Sequence, residues 1–149
     1  MACDVCTKQV SIFLENKAGR LADVCSLLGR FGVNIRAFCT ADTSDFGILR
    51  LIVNDPALAV KTLRDHGYAV SETDVRVVQV RDEPGGLANV LLALRDAKIN
   101  IEYMYAFLTP LEGEAVVIFR VIDQMTEQTV EALGRAGISI VDPARVYAL

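Results

Sequence analysis

Hydrophobic and polar residues alternate along residues 8–15, which predicts a β-strand whose apolar face is formed by Val10, Ile12 and Leu14. After a short turn, apolar residues recur at the spacing of one helix face, and these are Leu21, Val24, Cys25, Leu28 and Phe31. Gly32 supplies a stop for this helix. The chain therefore begins with a strand, a turn and an amphipathic helix.

Two more strands, a second helix and a fourth strand are predicted next. Apolar runs at residues 33–39 and 48–53 indicate the two strands. Asp55 followed by Pro56 predicts the start of the helix, because aspartate caps helix starts and proline fits the first helical position. Gly67 ends this helix, and a short strand follows it. The predicted order of elements is βαββαβ.

The second half of the chain repeats the first. Residues that lie 66 positions apart (85 − 19) match at the turn, along the helix and at the start of the next strand: Gly19 with Gly85, Leu21 with Leu87, Val24 with Val90, Leu28 with Leu94, Asn34 with Asn100 and Ile35 with Ile101. Asp55 and Gly67 match Asp123 and Gly137 at slightly larger separations. A self-match at a nearly fixed period indicates a repeated structural unit. We interpret residues 1–73 and 74–149 as two copies of one βαββαβ module.

Each copy is expected to place two helices on one face of a four-stranded antiparallel sheet, which is an α+β fold. The third strands of the two copies are apolar on both faces, at residues 48–53 and 116–119. Because the helices cover only one face, the other face should be covered as well. A second copy of the protein is the cover that the sequence favours, and we predict a homodimer.

The composition excludes several classes of protein. The chain has 149 residues, of which 52% are hydrophobic and 23% charged, as in globular proteins. No apolar run approaches the roughly 20 residues that span a bilayer, and the first residues lack the pattern of a secretion signal. We therefore expect a cytoplasmic protein without a membrane partner. The net charge of −4, without a basic cluster, disfavours nucleic-acid binding.

The cysteines and the single histidine do not form a reactive cluster in the sequence. Cys3 and Cys6 form a lone CxxC, and no second such pair is present to complete a zinc site of about four ligands. This pair also precedes the first strand, whereas redox motifs of this spacing lie between a strand and a helix. His66 is the only histidine, near the end of a predicted helix. We predict no metal, no cofactor and no catalytic residues.

The turns at residues 15–21 and 81–87 are the candidate sites of function. Each follows a strand, contains a glycine that permits a sharp bend, and opens a helix. A helix start directs unpaired amides and the positive end of the helix dipole into the space before it. A small anion, above all a carboxylate, would be stabilised there.

These turns carry a family resemblance. Residues 82–87, Asp-Glu-Pro-Gly-Gly-Leu, match the D-x-P-G-x-L turn of ACT domains, and residues 16–21 match its N-x-x-G-x-L variant. The Asn-Ile pairs at residues 34–35 and 100–101 match the start of the second strand in that family. From Lys8 to Val141 the chain resembles a tandem pair of ACT domains, which are ferredoxin-like modules that bind ligands and regulate amino-acid metabolism.

The resemblance implies a regulatory sensor, not an enzyme, that holds a free amino acid at the junction of two modules lying side by side. The helix start of one module would bind the ligand carboxylate, and Asn16 or Asp82 would accept hydrogen bonds from its ammonium group. Asp82 would add a full charge to that bond. The second strand of the neighbouring module would supply a wall. The implied ligand-binding residues are Asn16, Gly19, Arg20, Leu21, Asn34, Ile35, Asp82, Gly85, Gly86, Leu87, Asn100 and Ile101.

The two implied sites are expected to differ. Tyr103 and Tyr105 of the second copy correspond to the smaller Ala37 and Cys39 of the first. This asymmetry predicts that one of the two sites is closed or empty. We interpret the two tyrosines themselves as packing or interface residues.

Several other functions share this order of elements. The modules could act only through protein contacts, as a regulatory or assembly subunit for a metabolic enzyme encoded on another chain. Acylphosphatases use an arginine and an asparagine, and Arg20 and Asn34 would take those roles, but Gly86 replaces the arginine in the second copy. RNA-recognition domains need stacking aromatics and a basic surface. A metal chaperone of this fold would need a CxxC in the first turn.

Overall fold

The computed structural model describes residues 4–42, 46–107 and 113–149. In these residues the elements follow in the order β1 (Thr7–Glu15), α1 (Arg20–Arg30), β2 (Ile35–Asp42), β3 (Phe46–Val53), α2 (Pro56–Asp65), β4 (Ala69–Arg81), α3 (Gly86–Asp96), β5 (Tyr103–Ala106), β6 (Glu114–Arg120), α4 (Thr126–Arg135) and α5 (Pro143–Ala148). A 3-10 helix at Asp123–Met125 precedes α4. The α+β class with two ferredoxin-like modules is confirmed.

The chain forms two compact units. The first unit contains Lys8–Thr73 and Tyr147–Leu149, and the second contains Asp74–Val146 with the residues before Lys8. The division between Thr73 and Asp74 falls inside β4, which is one continuous strand. The short terminal segments at 4–7 and 147–149, which the repeat assigns to the first and second copies, lie with the opposite units.

The first unit holds its core between the sheet and two helices. Its strands lie in the order β2-β3-β1-β4, and β1 and β2 both pair antiparallel with β3. Alternate residues of β1 and β3 face α1 and α2, which explains the alternating pattern in the sequence. The fully or nearly fully buried core is formed by Val10, Ile12, Leu14, Val24, Leu27, Leu28, Val33, Leu49, Leu51, Val53, Ala59, Val60 and Leu63.

The second unit has the same plan with a shorter sheet. Its strands lie in the order β5-β6-β4, and β6 pairs antiparallel with both neighbours. The expected fourth strand is reduced to a single bridge between Ile140 and Val78, flanked by a hydrogen bond from the Val141 amide to the Val77 carbonyl (2.8 Å). The fourth strand expected in this unit is therefore present only as this bridge.

Helix α1 buries a different set of residues from the predicted stripe. Val24 and Leu28 are buried as expected, but Leu27 completes the buried face, while Leu21 and Phe31 are about half exposed. Cys25 is also exposed, and partial burial raises the pKa of its thiol. The helix is therefore rotated toward Leu27 relative to the sequence prediction.

The expectation that a second copy must cover the apolar strands does not hold for the second unit. Val77, Val116 and Ile118 point away from the α3–α4 core and are nevertheless buried within the single chain. In the first unit Ile52 is buried on the corresponding face, while Ile48 is only partly buried. The main argument for a homodimer is thus lost.

The end of the C-terminal segment is anchored to the first unit through Tyr147. The Tyr147 hydroxyl accepts a hydrogen bond from the Lys8 amide (2.8 Å), and the Tyr147 carbonyl accepts one from Arg36 Nε (3.3 Å).

At the other end of the chain, Cys6 is buried and disulfide-bonded, while Cys3 lies outside the described residues.

Candidate functional site

The first turn brings the end of β1 against the start of α1. The amide of Lys17 donates to the carbonyl of Glu15 (2.8 Å), and the amide of Arg20 donates to the carbonyl of Lys17 (3.3 Å). Gly19 takes the left-handed conformation (φ 86°) that a residue with a side chain adopts only with strain. No side chain caps the helix, so the amides of its first turn face the space in front of it.

That space is a cleft of ≈190 Å³ within the first unit. Three of the predicted site residues line it, namely Asn16, Arg20 and Leu21. Its remaining lining comes from β1, the turn, β2 and β3, and consists of Leu14, Glu15, Lys17, Thr40, Gly47, Ile48 and Leu49. The cleft is smaller than the roughly 300–1,000 Å³ of sites for drug-sized ligands, which suits a ligand as small as a free amino acid.

The two cations at the cleft, Lys17 and Arg20, lie at different distances from the carboxylate of Glu15. Lys17 Nζ lies 2.8 Å from Glu15 Oε2, whereas the guanidinium of Arg20 lies 3.9 Å from the same oxygen. The hydrogen bond and charge of Lys17, with the charge of Arg20, hold the pKa of Glu15 below its usual range. Arg20 is therefore the cation that is less tightly engaged and can turn toward a ligand carboxylate.

The second turn has the same backbone hydrogen bonds. The amide of Glu83 donates to the carbonyl of Arg81 (2.9 Å), and the amide of Gly86 donates to the carbonyl of Glu83 (3.0 Å). Gly85 has a φ of 87°, nearly that of Gly19. The two predicted turns are therefore alike in their hydrogen bonding.

Their surroundings differ at the first helical residue. Gly86 is buried, and a Cβ atom at this position would lie 2.0 Å from the carbonyl oxygen of Arg81. The corresponding residue of the first turn is Arg20, whose side chain is partly exposed in the cleft. Asp82 and Leu87 are exposed near the second turn, but the helix start there is packed against the strand end.

The strand-start residues perform structural roles in the described chain. The amide of Asn34 donates to Asn54 Oδ1 (2.8 Å), and the carbonyl of Asn34 accepts from the Asn54 amide (3.0 Å), which joins the starts of β2 and α2. Ile35 and Ile101 pack against the cores of their units, and Asn100 is exposed. Asn34 and Ile35 do not line the cleft at the first turn of their own unit, and a role for the four residues in a neighbouring module's site stays a prediction.

Sequence reasoning missed the residues that close the cleft from β2 and β3. Gly47 lies opposite Leu14 in the β1–β3 pairing, and Thr40 lies opposite Leu49 in the β2–β3 pairing. The signal that could have found them is this pairing, because it places the end of β2 and the start of β3 beside the end of β1. The hydrophobic pattern alone does not give the register.

Comparison with known proteins places this geometry in a family. A profile described as an ACT domain pair matches residues 5–147. The chain belongs to the ACT domain pair family. No curated protein sequence matches the chain significantly.

Solved structures agree with this assignment. Protein BT0572 from Bacteroides thetaiotaomicron is 39% identical, with a TM-score of 0.89 over 97% of this chain and 98% of that one. The ligand-free regulatory subunit of aspartate kinase from Thermus thermophilus is 17% identical, with a TM-score of 0.65 over 91% of this chain and 95% of that one. The corresponding subunit from Thermus flavus is 18% identical, with a TM-score of 0.59 over 87% and 92%. The last two similarities concern the fold alone.

Two further observations bear on the range of functions. Among the described residues of this ACT domain pair, no three His, Cys, Asp or Glu side chains are grouped so that they could hold a metal ion. Across the same ranges, 4–42, 46–107 and 113–149, each helix is too short or too polar to cross a membrane.

Proposed function

We propose that this ACT domain pair is a regulatory sensor that binds a free amino acid at the turn of its first unit. The observation that carries the proposal is the cleft of ≈190 Å³ at an uncapped helix start, with Arg20 in its wall. A carboxylate there would receive helix amides and the guanidinium together. Asn16, in the same wall, carries a carbonyl oxygen that can accept from an ammonium group.

The second turn would not bind ligand under this proposal. Gly86 lies so close to the Arg81 carbonyl that no side chain fits there, and the second turn lacks a counterpart of Arg20. Of the implied ligand-binding residues, those of the first turn are retained, and Asp82, Gly85, Gly86 and Leu87 are assigned to the structure of the second unit.

Regulation would follow if the ligand binds one conformation of the protein more tightly than another. A ligand shifts a conformational equilibrium only as far as it binds one state better than the other. A metabolic enzyme on another chain would read that shift, and we propose that the protein acts in the cytoplasm. The expectations that a neighbouring module closes the cleft over the ligand and that the protein is a homodimer stay predictions.

The test is a thermal-shift screen against the twenty amino acids, followed by calorimetry on each amino acid that stabilises the protein. A ligand at 100 times its dissociation constant should add about 2.7 kcal/mol to the stability of the folded state. Arg20→Gln should weaken binding at least about tenfold, because a hydrogen bond to a charged group contributes roughly 1.5–3 kcal/mol. Asn16→Ala should weaken it less, since the asparagine is neutral.

Asp82→Ala is the matched control, because Asp82 occupies the position of Asn16 in the second turn. It should leave binding unchanged. Loss of binding in Asp82→Ala but not in Arg20→Gln would move the site to the second turn. If no amino acid stabilises the folded protein, the proposal is wrong, and the function lies in contacts with a protein partner.

A further inference from the structure

A second cleft adjoins the candidate site in the first unit. It has a volume of ≈450 Å³ and shares three lining residues with the smaller cleft: Leu14, Glu15 and Arg20. The rest of its lining consists of Phe13, Phe46, His66, Gly67, Tyr68 and Ala69. The two clefts therefore meet at the end of β1, on either side of Glu15 and Arg20.

The wall of the larger cleft is unusually aromatic for an exposed surface. Phe13 is 51% exposed and Phe46 is 59% exposed. Glu15 pairs with Phe46, and Phe13 pairs with Ile48, so the two rings occupy diagonal positions on one face of the sheet. Diagonal neighbours on a sheet are within reach of one another when they are aromatic. The two rings thus form one apolar surface that is open to solvent.

The second unit does not repeat this feature. In its register Gln79 pairs with Val116 and Arg81 with Glu114, so Gln79 and Glu114 take the places of Phe13 and Phe46. Both replacements are polar, as expected for strand positions outside a core. Exposed phenylalanines therefore occur at these two positions in the first unit and not in the second, and they have no role in the core of the first unit.

Arg20 connects the aromatic surface with the polar end of the site. Its guanidinium lines both clefts and is held to Glu15 only at 3.9 Å. From that position it can pair with a carboxylate in the smaller cleft, and it can also lie over an aromatic ring. His66 borders the larger cleft, and its Nδ1–H donates to the Thr62 carbonyl (2.7 Å), which fixes the ring.

We propose that the ligand is an amino acid with an aromatic side chain. Its carboxylate and ammonium groups lie at Arg20, Asn16 and the start of α1, and its ring lies in the larger cleft against Phe13 and Phe46. This inference rests on the proposed function and adds the chemical class of the ligand. It disfavours an acidic amino acid, whose side-chain carboxylate would have to lie against two phenylalanine rings.

The experiment is calorimetric titration of the full-length protein with L-phenylalanine, L-leucine, L-aspartate and L-lysine. L-Phenylalanine should bind at least about tenfold more tightly than L-leucine, because ring–ring contacts add to the burial of apolar area. Phe13→Leu keeps an apolar side chain but removes the ring, and it should reduce the preference for L-phenylalanine over L-leucine. Phe13→Ala should weaken L-phenylalanine binding by about tenfold.

Phe38→Ala is the matched control, since Phe38 is 48% exposed on β2 of the same unit and lines neither cleft. It should bind L-phenylalanine as the parent protein does. If L-leucine, L-aspartate or L-lysine binds most tightly, and Arg20→Gln but not Phe13→Ala weakens it, the aromatic assignment is overturned while the amino-acid sensor stands. If none of the twenty amino acids binds, both proposals are wrong.

Discussion

The two strand-to-helix turns share a backbone and differ in chemistry. Both place a glycine in the left-handed conformation, at φ 86° and 87°, and both form the same short hydrogen bonds before the helix. The first turn carries Lys17 and Arg20, whereas the second carries Asp82 and Glu83. In the second turn the first helical residue, Gly86, lies close to the preceding strand end.

The same turn conformation can direct the chain into a helix in both units and can also border a ligand cleft. The hydrogen bonds of the turn direct the chain from the sheet into the helix, and both units need that reversal to form a core. The residues around the helix start differ instead between the two turns. Gly86 permits a close approach to the strand end, whereas Arg20 lines the cleft of the first turn.

The substitution Gly86→Ala is expected to have the largest effect on stability. A Cβ atom 2.0 Å from the Arg81 carbonyl oxygen forces the helix away from the strand, which should cost about 3 kcal/mol, at the upper end of overpacking. Thermal unfolding followed by calorimetry measures this loss. Arg20→Ala at the equivalent position should stay within about 0.5 kcal/mol of the parent protein. Equal losses in both variants would contradict the difference between the turns.

The substitutions Gly19→Ala and Gly85→Ala should cost nearly the same stability, because their φ angles differ by only a degree. Each should lose about 1–2 kcal/mol through the left-handed conformation. Only Gly19→Ala should also weaken amino-acid binding, since it lies beside the open cleft. Gly29→Ala within α1 is the control, and it should stabilise the helix by up to about 1 kcal/mol, because nothing lies within 4 Å of its added Cβ. Similar binding by the two turn variants would speak against a site at the first turn.

Helix α2 of the first unit and helix α4 of the second unit also begin differently. Asp55 Oδ1 accepts a hydrogen bond from the Leu58 amide (3.1 Å) at the start of α2, whereas α4 begins after Met125, which provides no side-chain cap. Asp55→Ala should therefore cost about 1 kcal/mol, measured by thermal unfolding. Asp55→Ser keeps a capping oxygen and should lose only a few tenths of that. A full loss in Asp55→Ser would show that capping is not the cause.

The smallest expected effect concerns the charges of the first turn. The pKa of Glu15 is lowered in the folded protein, so its contribution to stability is present above its unfolded-state pKa and is lost as the pH falls through the folded-state value. Because Glu15 is exposed, the change in stability should be slight, and an NMR titration of its side chain is the better measurement. Lys17→Ala should raise the pKa toward its ordinary value. An unchanged titration in this variant would exclude Lys17 as the main cause.

Local patterns in the sequence predicted most of the fold. Alternation identified β1, the glycines at positions 19 and 85 identified the turns, and Asp55 identified the start of α2. The structure confirms all three predictions. Each of these signals acts over a few residues, so it is present in the sequence itself. The buried face of α1 was predicted less well, because Leu27 enters the core in place of Cys25.

The candidate site was predicted only in part. Asn16, Arg20 and Leu21 belong to the turn, and the sequence pointed to them directly. Thr40 and Gly47 reach the cleft through strand pairing, and Gly47 lies 33 positions (47 − 14) from its partner Leu14 in the chain. The exposure of Phe13 and Phe46 was not foreseen, since the alternation gives the face of each residue but not what covers that face.

The sequence by itself determined the repeat, the order of the elements and the chemistry of each turn, because these depend on residues close together in the chain. The tertiary structure decided which residues surround each turn, how far the fourth strand of the second unit extends, and which apolar faces are covered. These properties depend on distances between elements. A clash such as that of a Cβ at Gly86 with the Arg81 carbonyl exists only once helix and strand have packed.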